Sequence, residues 1–359
     1  MRVSSIHNQL AVIGAAGYWG SKVVVKAGML FGPENVAAID TDVSRLHKLI
    51  KSQDAQEHRW DKLTIRSSLT DILSMPSYTH FFIATPPETH YKITQRILEA
   101  GRHVMVAKPM TLSVTEATTL EDLAIRQSVK LMVDNTFLFH PAIRSLTQHV
   151  RTGQIGLPTS LYAEWLGRGK ISATTDVIWD LAPHPLSILL ELWRPPISVA
   201  CYMQDSYGDK PMEVTLLLTE KATSRTAVIR LSWLDGHRSR LLKVRGTHHT
   251  IIFDDTKEPP AKLVIKGGRA IGHPLLSDGY DEPILTLDYP EEYPVEVPWE
   301  EPLKRMLLDF VAPDREGAAA HNTKNSVTAV RLMEAAHASI QQRSATVLVD
   351  IEEPKLAHI

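Results

Sequence analysis

Leu10-Ala-Val-Ile-Gly14-Ala-Ala-Gly17-Tyr18-Trp19-Gly20 runs from an apolar, strand-like stretch into three glycines spaced every third residue, and the helix-forming segment 21–30 comes next. Glycines let a backbone turn sharply and approach a ligand closely. The N-terminus of the next helix then offers N–H groups to a pyrophosphate. The gap between the first two glycines is one residue longer than in G-x-G-x-x-G, so alone the loop serves equally well as a tight turn. The downstream residues favour the nucleotide. Val36-Ala-Ala-Ile-Asp40 is a second apolar run, ending in a carboxylate twenty residues beyond Gly20. A carboxylate there accepts hydrogen bonds from adenosine ribose hydroxyls and repels a 2′-phosphate, which points to NAD, with NADP the alternative through Thr41 and Arg45. Asp40 would otherwise cap a helix expected over 42–51. Strand, glycine loop, helix, strand and acid in this order predict a dinucleotide fold.

Further apolar runs at 63–66, 80–85, 103–107 and 130–134 alternate with helical patterns such as 91–100, where Ile93, Ile97 and Leu98 share a face and Gly101 supplies the stop. Six such units predict a parallel sheet covered by helices on both faces, with ligands at the carboxyl ends of the strands. Beyond about residue 150, β-rich runs at 159–166, 197–203, 212–219, 225–234, 241–246 and 249–253 succeed one another with short turns, predicting a mostly antiparallel, open-faced sheet. Helical segments are expected at 176–193, 300–312 and 325–341, and loops over the proline- and glycine-rich stretch 256–298. The expected fold class is thus α/β plus α+β. Residues 1–140 form a dinucleotide-binding domain and 141–359 a substrate and oligomerisation domain, whose last helix packs back on the first.

A chain of 359 residues, 43% hydrophobic and 22% charged, has length for two domains with ample core. A formal net charge of −2 without a basic block argues against nucleic acid or an anionic membrane as partner. The single cysteine, Cys201, fits a reducing cytoplasm, and the polar first ten residues do not read as a signal peptide. Neither H-E-x-x-H nor a Cys/His cluster is found, so no metal is expected.

Three groups carry candidate chemistry. Lys108 closes an apolar strand beside Pro109; it either serves a bound substrate or is a strand-end lysine reaching water. Asp180 and His184 stand four apart in Trp179-Asp180-Leu-Ala-Pro-His184-Pro185. On a helix they share a face, and a carboxylate would fix the imidazole tautomer a general base needs. The prolines place this stretch in a first helical turn. Equally, Asp180 would cap the helix and His184 pack in a core. Asn135 sits on the ligand rim. Arg168 and Lys170, in a loop before the helix, either pair with a substrate anion or are simply solvated.

Taken together, the glycine loop, Thr85-Pro86-Pro-Glu-Thr-His90, Val106-Ala107-Lys108-Pro109, 136–141 and Asp180-x-x-x-His184 resemble the glucose–fructose oxidoreductase, inositol dehydrogenase and rhizopine-catabolism family (Gfo/Idh/MocA), over nearly the whole chain. The wording of 179–186 and Ser232-Trp-Leu-Asp235 is similar to the nucleotide-sugar and aminosugar branch. The resemblance implies a Rossmann domain holding NAD(P) on Gly14, Gly17, Tyr18, Trp19, Gly20 and Asp40, with Thr85, Pro86 and His90 lining the ribose region. It assigns Lys108 to substrate and nicotinamide ribose, His184 to acid/base work with Asp180 as partner, and a homodimer or homotetramer formed through the C-terminal sheet. Asn135, Arg168, Lys170 and Trp179 are further substrate candidates. Two positions depart from the pattern: Ala107 stands where the family usually has Glu, and Pro185 where Asp is common. They motivate the alternative of a cofactor-binding relative with lost or non-redox chemistry, such as elimination or epimerisation.

Overall fold

A computed structural model describes residues 9–52, 59–168, 171–192, 198–220, 223–259, 262–267, 269–271, 286–288, 292–314 and 317–349. Two compact units emerge, Met1–Phe139 with Glu300–Glu334 and His140–Trp299 with Ala335–Ile359.

In the first unit, β1 (Gln9–Ile13), β2 (Val36–Ile39), β3 (Thr64–Arg66), β4 (Tyr78–Ile83), β5 (His103–Ala107) and β6 (Leu131–Asp134) form one sheet in the order β3-β2-β1-β4-β5-β6. Every pairing is parallel. Helices α1 (Tyr18–Phe31), α2 (Val43–Lys51), α3 (Leu69–Leu73), α4 (His90–Glu99) and α5 (Val114–Gln127) make the crossovers. Successive residues such as Phe81, Phe82 and Ile83, or Val104, Met105 and Val106, are all fully buried. The central strands therefore read as unbroken apolar runs, because both faces are covered. Strand order reverses between β1 and β4, opening a crevice at the carboxyl ends.

A strand on the edge of a sheet must satisfy or hide its outer backbone groups. Here Asn322, from a late helix, does so for β6. Its Oδ1 accepts from the Val133 N–H at 2.7 Å and its Nδ2 donates to the Val133 carbonyl at 3.2 Å, while the Thr323 hydroxyl donates to the Leu131 carbonyl. A second late helix, Pro302–Val311, ends under Lys130, whose ammonium donates to the carbonyls of Phe310 and Ala312. A cation on a helix C-terminus is favourable.

The second unit holds α6 (Pro141–Arg151), α7 (Val177–Leu181) and α8 (Pro183–Leu192) with β7 (Pro158–Leu166), β8 (Ser198–Tyr207), β9 (Lys210–Thr219), β10 (Thr226–Ser232), β11 (Ser239–Gly246), β12 (His249–Asp254), β13 (Leu263–Gly267), β14 (Arg269–Ile271), β15 (Thr286–Asp288), β16 (Glu292–Pro294) and β17 (Val347–Leu348). The late helices are α9 (Pro302–Val311) and α10 (Ala318–Gln341). Nine strands form one sheet, β16-β13-β12-β11-β7-β10-β9-β8-β17, and β14 pairs with β15. All pairings in the large sheet are antiparallel except β7 with β10. Along β7, Leu161, Ala163 and Trp165 are buried while Tyr162 and Glu164 on the opposite face are only partly covered. On that face the Tyr162 hydroxyl donates to Glu164, and Arg230 lies 3.3 Å from Glu164 and 3.8 Å from Glu213.

Two expectations need correction. The stretch 256–298 is not loop throughout, since Leu263–Gly267 and Glu292–Pro294 extend the sheet; Pro294 fits because β16 is an edge strand, where a missing N–H costs nothing. The single helix expected at 176–193 is two, α7 and α8, broken at Ala182. Pro183 and Pro185 supply no N–H for the carbonyls a turn behind, so the helix restarts at Pro183.

Among the described residues no helix is long and apolar enough to cross a membrane. His80, buried in β4, lies against His103 with ring centroids 4.7 Å apart. Burial first, then the charges of His103 and Lys130, push its imidazole down to about 3. The unfolded chain takes up this proton near the ordinary value of 6.5, whereas the folded one stays neutral until about 3. Stability contributed by His80 is therefore complete above 6.5 and lost as pH falls through that window. Urea unfolding between pH 7 and 3.5 is expected to show a steeper loss of stability for the native chain than for His80→Gln; parallel slopes would refute it.

Candidate active site

The carboxyl rim of the first sheet is set by its glycines. Gly14 has φ +77°, and a Cβ there would lie 2.6 Å from the Ala84 carbonyl oxygen; a Cβ on Gly20 would lie 2.1 Å from the Gly14 oxygen. Only glycine permits this approach of α1 to the ends of β1 and β4. Gly17 is the N-cap of α1 and provides no side-chain cap. A fourteen-residue helix thus begins beside a loop built of backbone, with its positive end toward the rim. Asp40 comes directly after β2. Its Oδ2 accepts the Ala16 N–H at 2.9 Å and its Oδ1 the Asp42 N–H at 3.0 Å. Asp42, not Asp40, caps α2, through the Arg45 N–H. Asp40 is thereby tied to the glycine loop, with acceptor capacity left on its half-buried carboxylate. Glycines that admit no Cβ, an uncapped helix start and this carboxylate fit a dinucleotide.

The other predicted residues of this rim divide into two kinds. Tyr18 is 71% exposed and its hydroxyl accepts from Lys22 at 2.8 Å. Trp19 turns inward, donating its indole N–H to Asp134 at 2.5 Å. Thr85 is half-buried and Pro86 exposed, at the end of β4. Lys108 is half-buried at the end of β5, in a cis peptide with Pro109. His90 takes a different place from the ribose contact expected of it. It is wholly buried, with Nδ1 2.8 Å from the Pro109 carbonyl and Nε2 2.9 Å from the Thr85 carbonyl, and burial pushes its imidazole down. It braces one rim loop against the other. Asn135 likewise is turned inward: it is 5% exposed and donates from Nδ2 to Ser326 of α10 at 3.1 Å, so its amide serves packing rather than the expected substrate contact.

In the second unit, α7 and α8 carry Trp179, Asp180 and His184, each half-buried. Asp176 is the cap of α7, accepting the N–H groups of Ile178 and Trp179, so capping does not fall to Asp180. Asp180 Oδ2 accepts the indole N–H of Trp233 at 3.0 Å, and His184 stacks on Trp165 with centroids 6.5 Å apart. Arg240, pushed down by burial and by Arg238, lies within electrostatic reach of Asp180. Sequence reasoning missed the support beneath Trp179: its ring stacks on His337 of α10 at 5.2 Å, and His337 Nε2 lies 2.7 Å from Asp176 Oδ2. The signal was the cap pattern Asp176-Val-Ile-Trp179; the histidine lies far away in sequence. Arg168 is exposed after β7, and Lys170 lies outside the described residues.

Residues 9–135 match a family described as an oxidoreductase family with an NAD-binding Rossmann fold, GFO_IDH_MocA. An uncharacterised oxidoreductase of Synechocystis is 23% identical over 72% of this chain and 74% of its own length. The UDP-N-acetylglucosamine 3-dehydrogenase of Acidithiobacillus ferrooxidans is 33% identical over 38% of this chain and 43% of that enzyme. Its crystal structure covers 93% of this chain and 99% of its own at 22% identity, with a TM-score of 0.71. The structure of GenD2 from gentamicin A biosynthesis, in complex with NAD, covers 98% and 99% at 18% identity, with a TM-score of 0.72.

Asp176→Ala removes two hydrogen bonds at the start of α7 and the partner of His337. It is expected to cost about 1–2 kcal/mol in urea unfolding; a stability within error of the native chain would remove Asp176 as the anchor of this segment.

Proposed function

We propose that the chain belongs to the Gfo/Idh/MocA family of NAD-binding oxidoreductases, whose model matches residues 9–135, and that it is a dehydrogenase or reductase acting on the hydroxyl or keto carbon of a sugar-like substrate: a nucleotide sugar, an aminosugar or a cyclitol. The observation that carries the reading is the rim of the first sheet, where the glycine loop, Asp40 and the half-buried Lys108 stand at the carboxyl ends of β1, β2 and β5. The sugar dehydrogenase named among its relatives supports the substrate class.

NAD, when bound, accepts or supplies the hydride. The protein's tasks are to hold the dinucleotide, orient the sugar and handle one proton. Gly14, Gly17, Gly20 and the first turn of α1 face the pyrophosphate, and Asp40 takes the ribose hydroxyls. Lys108 steadies the substrate oxygen as negative charge develops on it. His184 removes the hydroxyl proton in oxidation and returns it in reduction. Asp180, fixed by the Trp233 indole, supports the charged imidazole four residues on. Trp179 and Arg168 are assigned to the substrate. Self-association through the partly covered sheet face around Tyr162, Glu164 and Arg230 completes the reading, as a homodimer or homotetramer.

Two outcomes test it. NADH is expected to bind at least about tenfold more tightly than NADPH, with the preference lost in Asp40→Ala; equal binding of both by the native chain would remove Asp40 from its role. Lys108→Ala and His184→Ala are each expected to lower turnover by about 10²-fold or more on a panel of nucleotide sugars, aminosugars and cyclitols, while NADH binding stays within a few-fold. Undiminished turnover in both would overturn the assignments, and product formed without net reduced cofactor would favour an epimerase or lyase.

A further inference from the structure

Arg240 is a charged residue on the core face of the second unit's sheet. In β11 it pairs directly with Trp165 of β7, so both side chains leave the same face, the one on which Leu242 and Val244 are buried. His184 stacks on that Trp165, with centroids 6.5 Å apart. The arginine thus stands one strand away from the ring that carries the imidazole. Its Nη1 donates to the carbonyls of Leu166 and Ser239, each at 2.8 Å, which spends both N–H groups of that nitrogen. What remains is the Nε–Nη2 edge, the fork whose parallel N–H groups match two oxygens of a phosphate or carboxylate. Among the described residues that edge has no hydrogen-bond partner, no carboxylate forms an ion pair with it, and neither nitrogen is sealed from solvent. The neighbouring charged groups are engaged elsewhere. Asp180 accepts the Trp233 indole, and Asp255 pairs with Lys262 at 3.0 Å. Lys210 donates to the Ser172 carbonyl and lies 5.5 Å from the centroid of Trp233. A half-buried cation held without a counter-charge is costly unless an anion from outside completes it.

We propose that Arg240 is a specificity-determining residue: its Nε–Nη2 edge takes an anionic group of the substrate, a phosphate or a carboxylate, beside the segment that carries Asp180 and His184. The inference rests on the reading of that segment as the place where substrate meets its acid/base group. It narrows the substrate class, since nucleotide sugars and sugar acids bear such a group, whereas a neutral cyclitol does not and a protonated aminosugar is repelled. Unlike Arg168, exposed after β7, this guanidinium is held in one orientation by two carbonyls.

The test uses the full chain with saturating NAD. Phenylglyoxal, an arginine-selective dicarbonyl, is added, and the modification rate of each arginine is tracked by peptide mass spectrometry. UDP and glucuronate are the anionic probes, and myo-inositol is the neutral one. At saturation UDP, glucuronate or both are expected to slow modification of Arg240 by about fivefold or more. The exposed Arg245, on the other face of β11, keeps its rate. Which probe protects tells a phosphate from a carboxylate. Protection by neither, or equal protection by myo-inositol, overturns the proposal. Arg240→Met is expected to weaken binding of the protecting probe by about tenfold or more in calorimetry. Arg245→Met, which removes the same charge from the same strand, is expected to leave it unchanged. Native binding in Arg240→Met also overturns the proposal, and if that variant fails to fold, the protection result on the native chain decides. Quenching of tryptophan emission by NADH is read on the same samples. A native chain that binds no NADH would sink the dehydrogenase reading, while protection of Arg240 would still judge the anion site.

Discussion

Three stretches of backbone meet at Gly14 with no room for a side chain between them. The carbonyl of Gly14 lies where a Cβ on Gly20 would be, and its own α-carbon closes on Ala84 at the end of β4. This contact sets where α1 begins, and with it the direction of the helix's positive end. It also fixes which neighbours the loop can gather. Ala16 reaches Asp40 on one side, and Trp19 reaches Asp134 on the other. The rim is assembled around a steric constraint, and its electrostatics are a consequence.

Much of this was written plainly in local sequence. Apolar runs in the first unit announced strands because both faces of a parallel sheet are covered, and Gly101 marked the end of α4 with φ +67°. The later β-rich runs landed on β7 to β12 because β-branched and apolar residues recur there, in places alternately: Ala227, Ile229 and Leu231 of β10 are buried while Thr226, Val228 and Arg230 are only partly covered. What escaped was decided by partners distant in the chain. Nothing in 131–134 foretells that Asn322 and Thr323 will close the edge of β6, or that Asn135 will turn toward Ser326. The family resemblance implies a ribose contact for the motif histidine at 90, but its ring is consumed by two carbonyls.

The helical segment bearing Asp180 and His184 illustrates the same limit. The prolines were legible as a helix start, and the structure restarts at Pro183. That a separate short helix precedes it was not, since its cap, Asp176, draws its second partner from His337 on α10. A cap, a stacked ring and an indole donor from β10's end hold this segment from three directions. Its side chains are positioned by tertiary contacts, with little left to helix propensity.

The parallel pairing of β7 with β10 has a bearing on biosynthesis. Residues 158–166 leave the ribosome well before either neighbour exists, since β10 ends at Ser232 and β11 at Gly246. Until then a strand carrying Leu161, Trp165 and Leu166 has two bare edges. Both edges of β7 are filled only once the segment up to Gly246 has been translated.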